Sequence, residues 1–178
     1  SEMTGCTVKA TIVSKAINKN RVGGLIGWNS TATTTITDCH VLEGTTLTDQ
    51  SGRTASDNGN YGGFIGYGDT SNTVLKISGC SARTIIDAGI STYNAGFIGG
   101  TGYESTVEVT DSWAAGSVIG ANYSAGFIGA IQSHVTISRC WADVDVTSSG
   151  QRCGAFAGCN TKFPATISNC YATGDFTA

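Results

Sequence analysis

A seven-residue glycine-rich signature occurs five times along the chain, and no other feature of the sequence restricts the fold as tightly. It first reads Val22-Gly23-Gly24-Leu25-Ile26-Gly27-Trp28 and returns at Tyr61 to Tyr67, Asn94 to Gly100, Ser124 to Ala130 and Cys153 to Cys159. The closing glycines, Gly27, Gly66, Gly99, Gly129 and Gly158, are separated by 39, 33, 30 and 29 residues. A period of about 30 residues marks stacked supersecondary units, none of which can bury its apolar face alone. Residues 1–178 are therefore read as a single repeat domain with one continuous core.

Each copy is followed by a second signature: Thr35-Ile36-Thr37-Asp38-Cys39, Lys76-Ile77-Ser78-Gly79-Cys80, Glu108-Val109-Thr110-Asp111-Ser112, Thr136-Ile137-Ser138-Arg139-Cys140 and Thr166-Ile167-Ser168-Asn169-Cys170. Glu2-Met3-Thr4-Gly5-Cys6 fits the same frame, so Met3 reads as a core residue rather than an initiator. Both ends of the sequence then fall inside a repeat, and the expectation is a section of a longer protein whose neighbouring coils pair with it. Thr34, Leu75, Val107, Val135 and Ala165 alternate with the Ile36 column, the period-two pattern of a half-buried strand. The Asp, Gly, Arg or Asn before each cysteine position is turn chemistry, because Gly and Asn tolerate positive φ.

A third strand starts at the cysteine, with inward positions such as Cys80, Ala82, Thr84 and Ile86, or Cys140, Ala142, Val144 and Val146. The copy beginning at Cys39 keeps the pattern only through Val41, and Glu43-Gly44 predicts a bulge. The first strand carries two adjacent apolar columns, Leu25, Phe64, Phe97, Phe127, Phe156 and Ile26, Ile65, Ile98, Ile128, Ala157. Either this strand is buried on both faces, or it bends at a glycine so that both columns reach the interior.

Three short strands and three turns per period predict an all-β fold, a right-handed three-sided parallel β-solenoid of about five coils of ~30 residues. Composition agrees. Charged residues are 13% of the chain, with 25 Gly and 1 Pro, too few charges for the wet faces of long amphipathic helices. Polar insertions at Thr48 to Gly59, Gly68 to Asn72 and Gly100 to Ser105 belong at solenoid corners, where partner contacts often sit. A net charge of -3 gives no electrostatic case for nucleic acid or an anionic membrane surface, and no apolar run reaches the ~18 residues of a membrane span.

Gly-Gly-Phe-Ile-Gly, a spacer and Thr-Ile-Ser-x-Cys-Trp/Tyr-Ala together resemble the GLUG motif. That repeat is found in large secreted or surface-attached bacterial proteins, including adhesin-like proteins and accessory regions of immunoglobulin A peptidases. Cys170-Tyr171-Ala172-Thr173-Gly174 carries the resemblance of the second half and Val22 to Asn29 that of the first, while Ser112 and Cys153 to Cys159 depart from the pattern. The resemblance implies an extracellular or cell-surface location and a stalk or adhesin role. It supplies no catalytic residues.

The outward position after the cysteine column holds His40, Ser81, Trp113, Trp141 and Tyr171. Trp113, Trp141 and Tyr171 would form a flat aromatic strip, read either as a glycan-binding platform or as a ladder that stabilises the stack. Tyr93 and Tyr123, beside Asn60 and Arg152, form a second, weaker strip. Asp143, Asp145 and Asp175 project from the same face as Trp141, in the manner of acidic clusters in β-helical polysaccharide lyases, but no base is placed beside them by the repeat. No Ser-His-Asp set, phosphate loop, zinc spacing or cofactor motif is present, so no catalytic or metal residue is assigned. Of the seven cysteines, Cys6, Cys39, Cys80, Cys140 and Cys170 share one inward column with Ser112, which predicts reduced, buried thiols. The reading is a non-enzymatic stalk or adhesin module whose partners are a host or cell-surface glycan or protein and the neighbouring repeats. The alternatives are a carbohydrate-active β-helix and a glycan-binding accessory domain of a secreted peptidase.

Overall fold

The computed structural model describes residues 1–17, 20–52, 59–68, 72–161 and 163–178, and every regular element among them is a β-strand. Successive coils pair in parallel into four sheets. The threonine sheet holds the strands of the second signature, Glu2–Thr4, Thr33–Thr37, Val74–Ser78, Thr106–Thr110, His134–Ser138 and Ala165–Ser168. The cysteine sheet follows the cysteine column and includes His40–Asp49, Ser81–Asp87, Trp113–Gly120, Trp141–Ser148 and Tyr171–Thr173. Registers in the threonine sheet are in phase, with Ile36, Ile77, Val109, Ile137 and Ile167 paired in succession.

The glycine-rich strand divides between two sheets. Strands such as Asn60–Gly62 and Tyr93–Ala95 form a glycine sheet, and Ile65–Gly68 and Ile98–Thr101 an isoleucine sheet. The reason is visible in the hydrogen bonds: the Phe64 and Ile65 amides both donate to the Phe97 carbonyl, at 2.9 and 3.0 Å. Successive amides of a flat strand point to opposite sides, so two that converge on one acceptor mark a bend between them. The bend sends both side chains inward, and Phe64, Phe97, Phe127, Ile65, Ile98 and Ile128 are all fully buried. The second of the two alternatives left by the sequence is the one realised.

Folding back at this corner brings the two sheets so close that only hydrogen fits between them. A Cβ on Gly66 would lie 2.6 Å from the Gly27 carbonyl oxygen and 2.7 Å from the Val22 nitrogen, and one on Gly99 would lie 2.6 Å from the Gly66 oxygen. This column is glycine in all five copies for that reason. Inside, Phe64, Phe97, Phe127 and Phe156 stack with centroid separations of 4.7, 4.7 and 4.9 Å, one ring per coil.

The corner between the threonine and cysteine sheets uses the left-handed region in every coil. Gly5 (φ 63°), Asp38 (53°), Gly79 (63°), Asp111 (51°), Arg139 (54°) and Asn169 (54°) occupy it. Arg139 is the least suited of these, since its Cβ crowds the following carbonyl. Its guanidinium bonds the Asp111 carboxylate of the preceding corner at 2.7 and 2.6 Å, so the two strained corners are tied together. The expected bulge is present: the pairing of the third strand shifts between Ala82 and Thr84, where Leu42, Glu43 and Gly44 stand opposite Arg83 alone. Of the predicted insertions, residues 53–58 and 69–71 lie outside the described residues.

The two kinds of glycine respond differently to a methyl group. Gly79→Ala has open space around the new Cβ and bears only the positive φ, about 1 kcal/mol. Gly99→Ala must move backbone and should cost about 3 kcal/mol or more. Thermal or urea melts of both variants check the order, and equal losses would mean that the two sheets are not in backbone contact.

Candidate functional site

The cysteine sheet turns alternate residues outward, and its first outward column is His40, Ser81, Trp113, Trp141 and Tyr171. Trp113 and Trp141 stack at 4.8 Å with planes 4° apart, and Trp141 and Tyr171 at 6.2 Å and 8°. The three residues singled out from the sequence therefore stand in one line on one face. Their rings lie across the solenoid axis, so within the strip each ring covers the face of the next, and mainly ring edges are presented outward. Two outer faces are left: that of Tyr171, which is 59% exposed, and that of Trp113 on the side of Ser81.

Beside Trp113 the surface dips into a cleft of about 510 Å³ lined by Lys9, His40, Leu42, Glu43, Ser81, Arg83 and Trp113. The bulge builds its wall. Extra backbone at Leu42 to Gly44 lifts Glu43 to within 3.0 Å of the Arg83 guanidinium, and Gly44, at φ 88°, lies under the Lys9 side chain. His40 closes one end, its ring hydrogen-bonded through Nδ1 to Ser81 Oγ at 2.8 Å and through Nε2 to Asp38 at 3.1 Å. Lys9, Leu42, Glu43 and Arg83 were not picked out by the repeat pattern. The signal that points to them is the break in alternation after Val41, read there as a bulge without its consequence for the surface.

A second hollow of about 370 Å³ continues past Arg83 to Asp143 and Asp145. These carboxylates are engaged: Asp143 accepts from Thr173 Oγ1 at 2.8 Å and Asp145 from the Asp175 amide at 2.9 Å. Among the described residues no group of three or more His, Cys, Asp and Glu is arranged to hold a metal ion. The weaker strip also forms. Tyr93 and Tyr123 stack at 4.9 Å, and the Arg152 guanidinium lies over the Tyr123 ring at 5.5 Å.

Residues 149–177 match the family model described as the GLUG motif. The last coil is similar to the GLUG motif. No curated protein and no solved structure matches the chain. Tyr171 lies inside the GLUG match, and Trp141, Trp113, Ser81 and His40 hold the same register in the preceding coils. The candidate site is thus built on the outer column of the repeat.

The GLUG cysteine is an inner residue with a hydrogen-bonding task. Cys80 Sγ donates to the Ser78 carbonyl at 3.2 Å and accepts the Cys39 amide at 3.4 Å. Ser112 makes the same pair of bonds through its hydroxyl, to Thr110 at 2.8 Å and from Cys80 at 3.1 Å. A small side chain able to donate and accept satisfies both the corner carbonyl and the preceding coil's amide, which explains why serine alone replaces cysteine here. All seven thiols are free, and Cys39, Cys80 and Cys140 are buried. Burial pushes the Cys80 thiol up to about 11 and the Cys140 thiol up to about 12.

Alkylation at neutral pH should consequently modify Cys6, Cys153, Cys159 and Cys170 and spare Cys39, Cys80 and Cys140 until the chain is denatured. Folding holds the buried thiols protonated above their ordinary value of 9.0, so their contribution to stability is complete below about pH 8. It is lost as pH rises from 9 through 11 to 12, and the melting temperature should fall across that window. Native labelling of Cys80 as fast as Cys170, read by peptide mass mapping, would contradict the buried column.

Proposed function

We propose that this GLUG solenoid is a non-enzymatic binding module of a secreted or cell-surface bacterial protein, and that the outer face of its cysteine sheet engages a glycan. The observation that carries the reading is the line of Trp113, Trp141 and Tyr171 running into a cleft with charged walls. Aromatic carbon beside directed donors and acceptors is the usual make-up of a small-ligand site. The location rests on the GLUG resemblance to surface-attached proteins, in which such coils serve stalk or adhesin roles. Neighbouring repeats and host or cell-surface glycans or glycoproteins are the partners this role implies.

A stack of rungs paired coil to coil suits the task physically. Each coil adds about 4.8 Å of length and one outer rung, so the face can be extended and varied without disturbing the core. The engaged carboxylates of Asp143 and Asp145 weigh against the alternative of a lyase or hydrolase on the same face.

The test is incubation with pectins, mucins and host-type glycans, following both retention of the protein and release of products. Retention without cleavage is expected, and replacing Trp113, Trp141 and Tyr171 together by Ala should weaken it at least about tenfold. New reducing ends or unsaturated sugars would overturn the non-enzymatic reading. Absence of retention on every glycan would overturn the glycan-binding one.

A further inference from the structure

Between His40 and Tyr171 the outer column lacks a ring at one rung. Reading along the stack it runs His40, Ser81, Trp113, Trp141, Tyr171, and Ser81 alone projects no ring between two that do. Coils are about 4.8 Å apart, so the His40 and Trp113 positions are separated by about 9.6 Å. A ring packed against neighbours on both sides needs about 3.5 to 4 Å on each, or about 7 to 8 Å in all. The His40 imidazole takes up part of that interval, its Nδ1 2.8 Å from Ser81 Oγ, so the open space lies against the Trp113 face.

This is the part of the column that the cleft occupies, and the rest of the strip is closed by its own stacking. Trp141 has a ring on each face, and one face of Trp113 is covered by Trp141, but the other face of Trp113 lines the cleft. Opposite it, His40 is held edge-on by its bonds to Ser81 and Asp38. Ser81 forms the floor and is only 4% exposed beneath them. The charged lining is Lys9, Arg83 and Glu43, two cations against one anion. Glu43 takes up one guanidinium nitrogen, Arg83 NH1, in an ion pair whose side chains are 51% and 78% exposed, which leaves further Arg83 donors available. Within the groove the excess is one positive charge.

We propose that this slot is a subsite for a single pyranose ring bearing a carboxylate, a uronic-acid type of sugar, stacked on the open face of Trp113. The inference rests on the glycan-binding reading and deepens it. The apolar face of the sugar meets the indole, Arg83 and Lys9 receive the carboxylate, and His40 and Glu43 bracket the hydroxyls. Trp141 and Tyr171 back the Trp113 ring and hold it in place.

The experiment compares binding of a glucuronate-terminated oligosaccharide and its glucose-terminated counterpart by calorimetry on the whole chain and its variants. Wild type should prefer the acidic probe, with affinity falling as salt rises. Ser81→Tyr completes the ring column, so it should melt no lower than wild type and lose the acidic probe. Lys9→Gln and Arg83→Gln, both at exposed positions, should each weaken it about tenfold, whatever the fate of Ser81→Tyr. Lys76→Gln, on the threonine sheet and away from the cleft, should retain it. Acidic-probe binding that persists in a folded Ser81→Tyr, or in both glutamine variants, overturns the subsite while leaving the glycan-binding reading standing. Equal affinity for the two probes overturns the carboxylate preference. Failure of wild type to bind these probes overturns the subsite, and failure on the wider glycan set as well removes the reading beneath it.

Discussion

Everything in this molecule depends on parallel backbone pairing from one coil to the next in a register that shifts at the Glu43-Gly44 bulge and is otherwise in phase along the core columns. The strand pairs connect successive coils, and their in-phase registers bring chemically equivalent residues into line. A one-residue slip in any sheet would send the core column to solvent. Register is secured at the corners as well as along the strands, because amides at each corner donate to a neighbouring coil rather than within their own turn. The Phe64 and Ile65 amides on Phe97, and the Cys39 amide on Cys80 Sγ, are two cases.

Columns rather than single residues are then the units of stability. The phenylalanine stack fills the axis, the Ile36 column lines the threonine sheet, and the glycine column lets two sheets meet backbone to backbone. The cysteine column satisfies polar groups that would otherwise be buried without partners. Columns that face outward can vary without disturbing this packing.

The sequence made the columns legible because a repeat supplies its own alignment. Met3 in the isoleucine column, the left-handed corners before the cysteines, the bulge at Glu43-Gly44 and the stacking of Trp113, Trp141 and Tyr171 could all be read from period and alternation. Less was legible where two elements not related by the repeat come together. Adjacent Phe64 and Ile65 left open whether the strand bends, since the answer lies in where two amides point. The cleft required knowing that a bulge in one coil would bring Glu43 against Arg83 of the next and set Lys9 above Gly44. The strip itself was seen as a surface of exposed faces, whereas stacking across the axis covers all but the outermost.

If energy is carried from coil to coil by contacts between nearest neighbours, it should couple adjacent rungs and no others. A double-mutant cycle on the phenylalanine stack measures this, comparing Phe97→Ala with Phe127→Ala, whose rings are 4.7 Å apart, and Phe64→Ala with Phe127→Ala, which are separated by Phe97. The account predicts a coupling of about 0.5 to 1.5 kcal/mol for the adjacent pair and additivity within about 0.5 kcal/mol for the separated one. Additivity for the adjacent pair, or equal coupling in both, would contradict a core built from in-register columns.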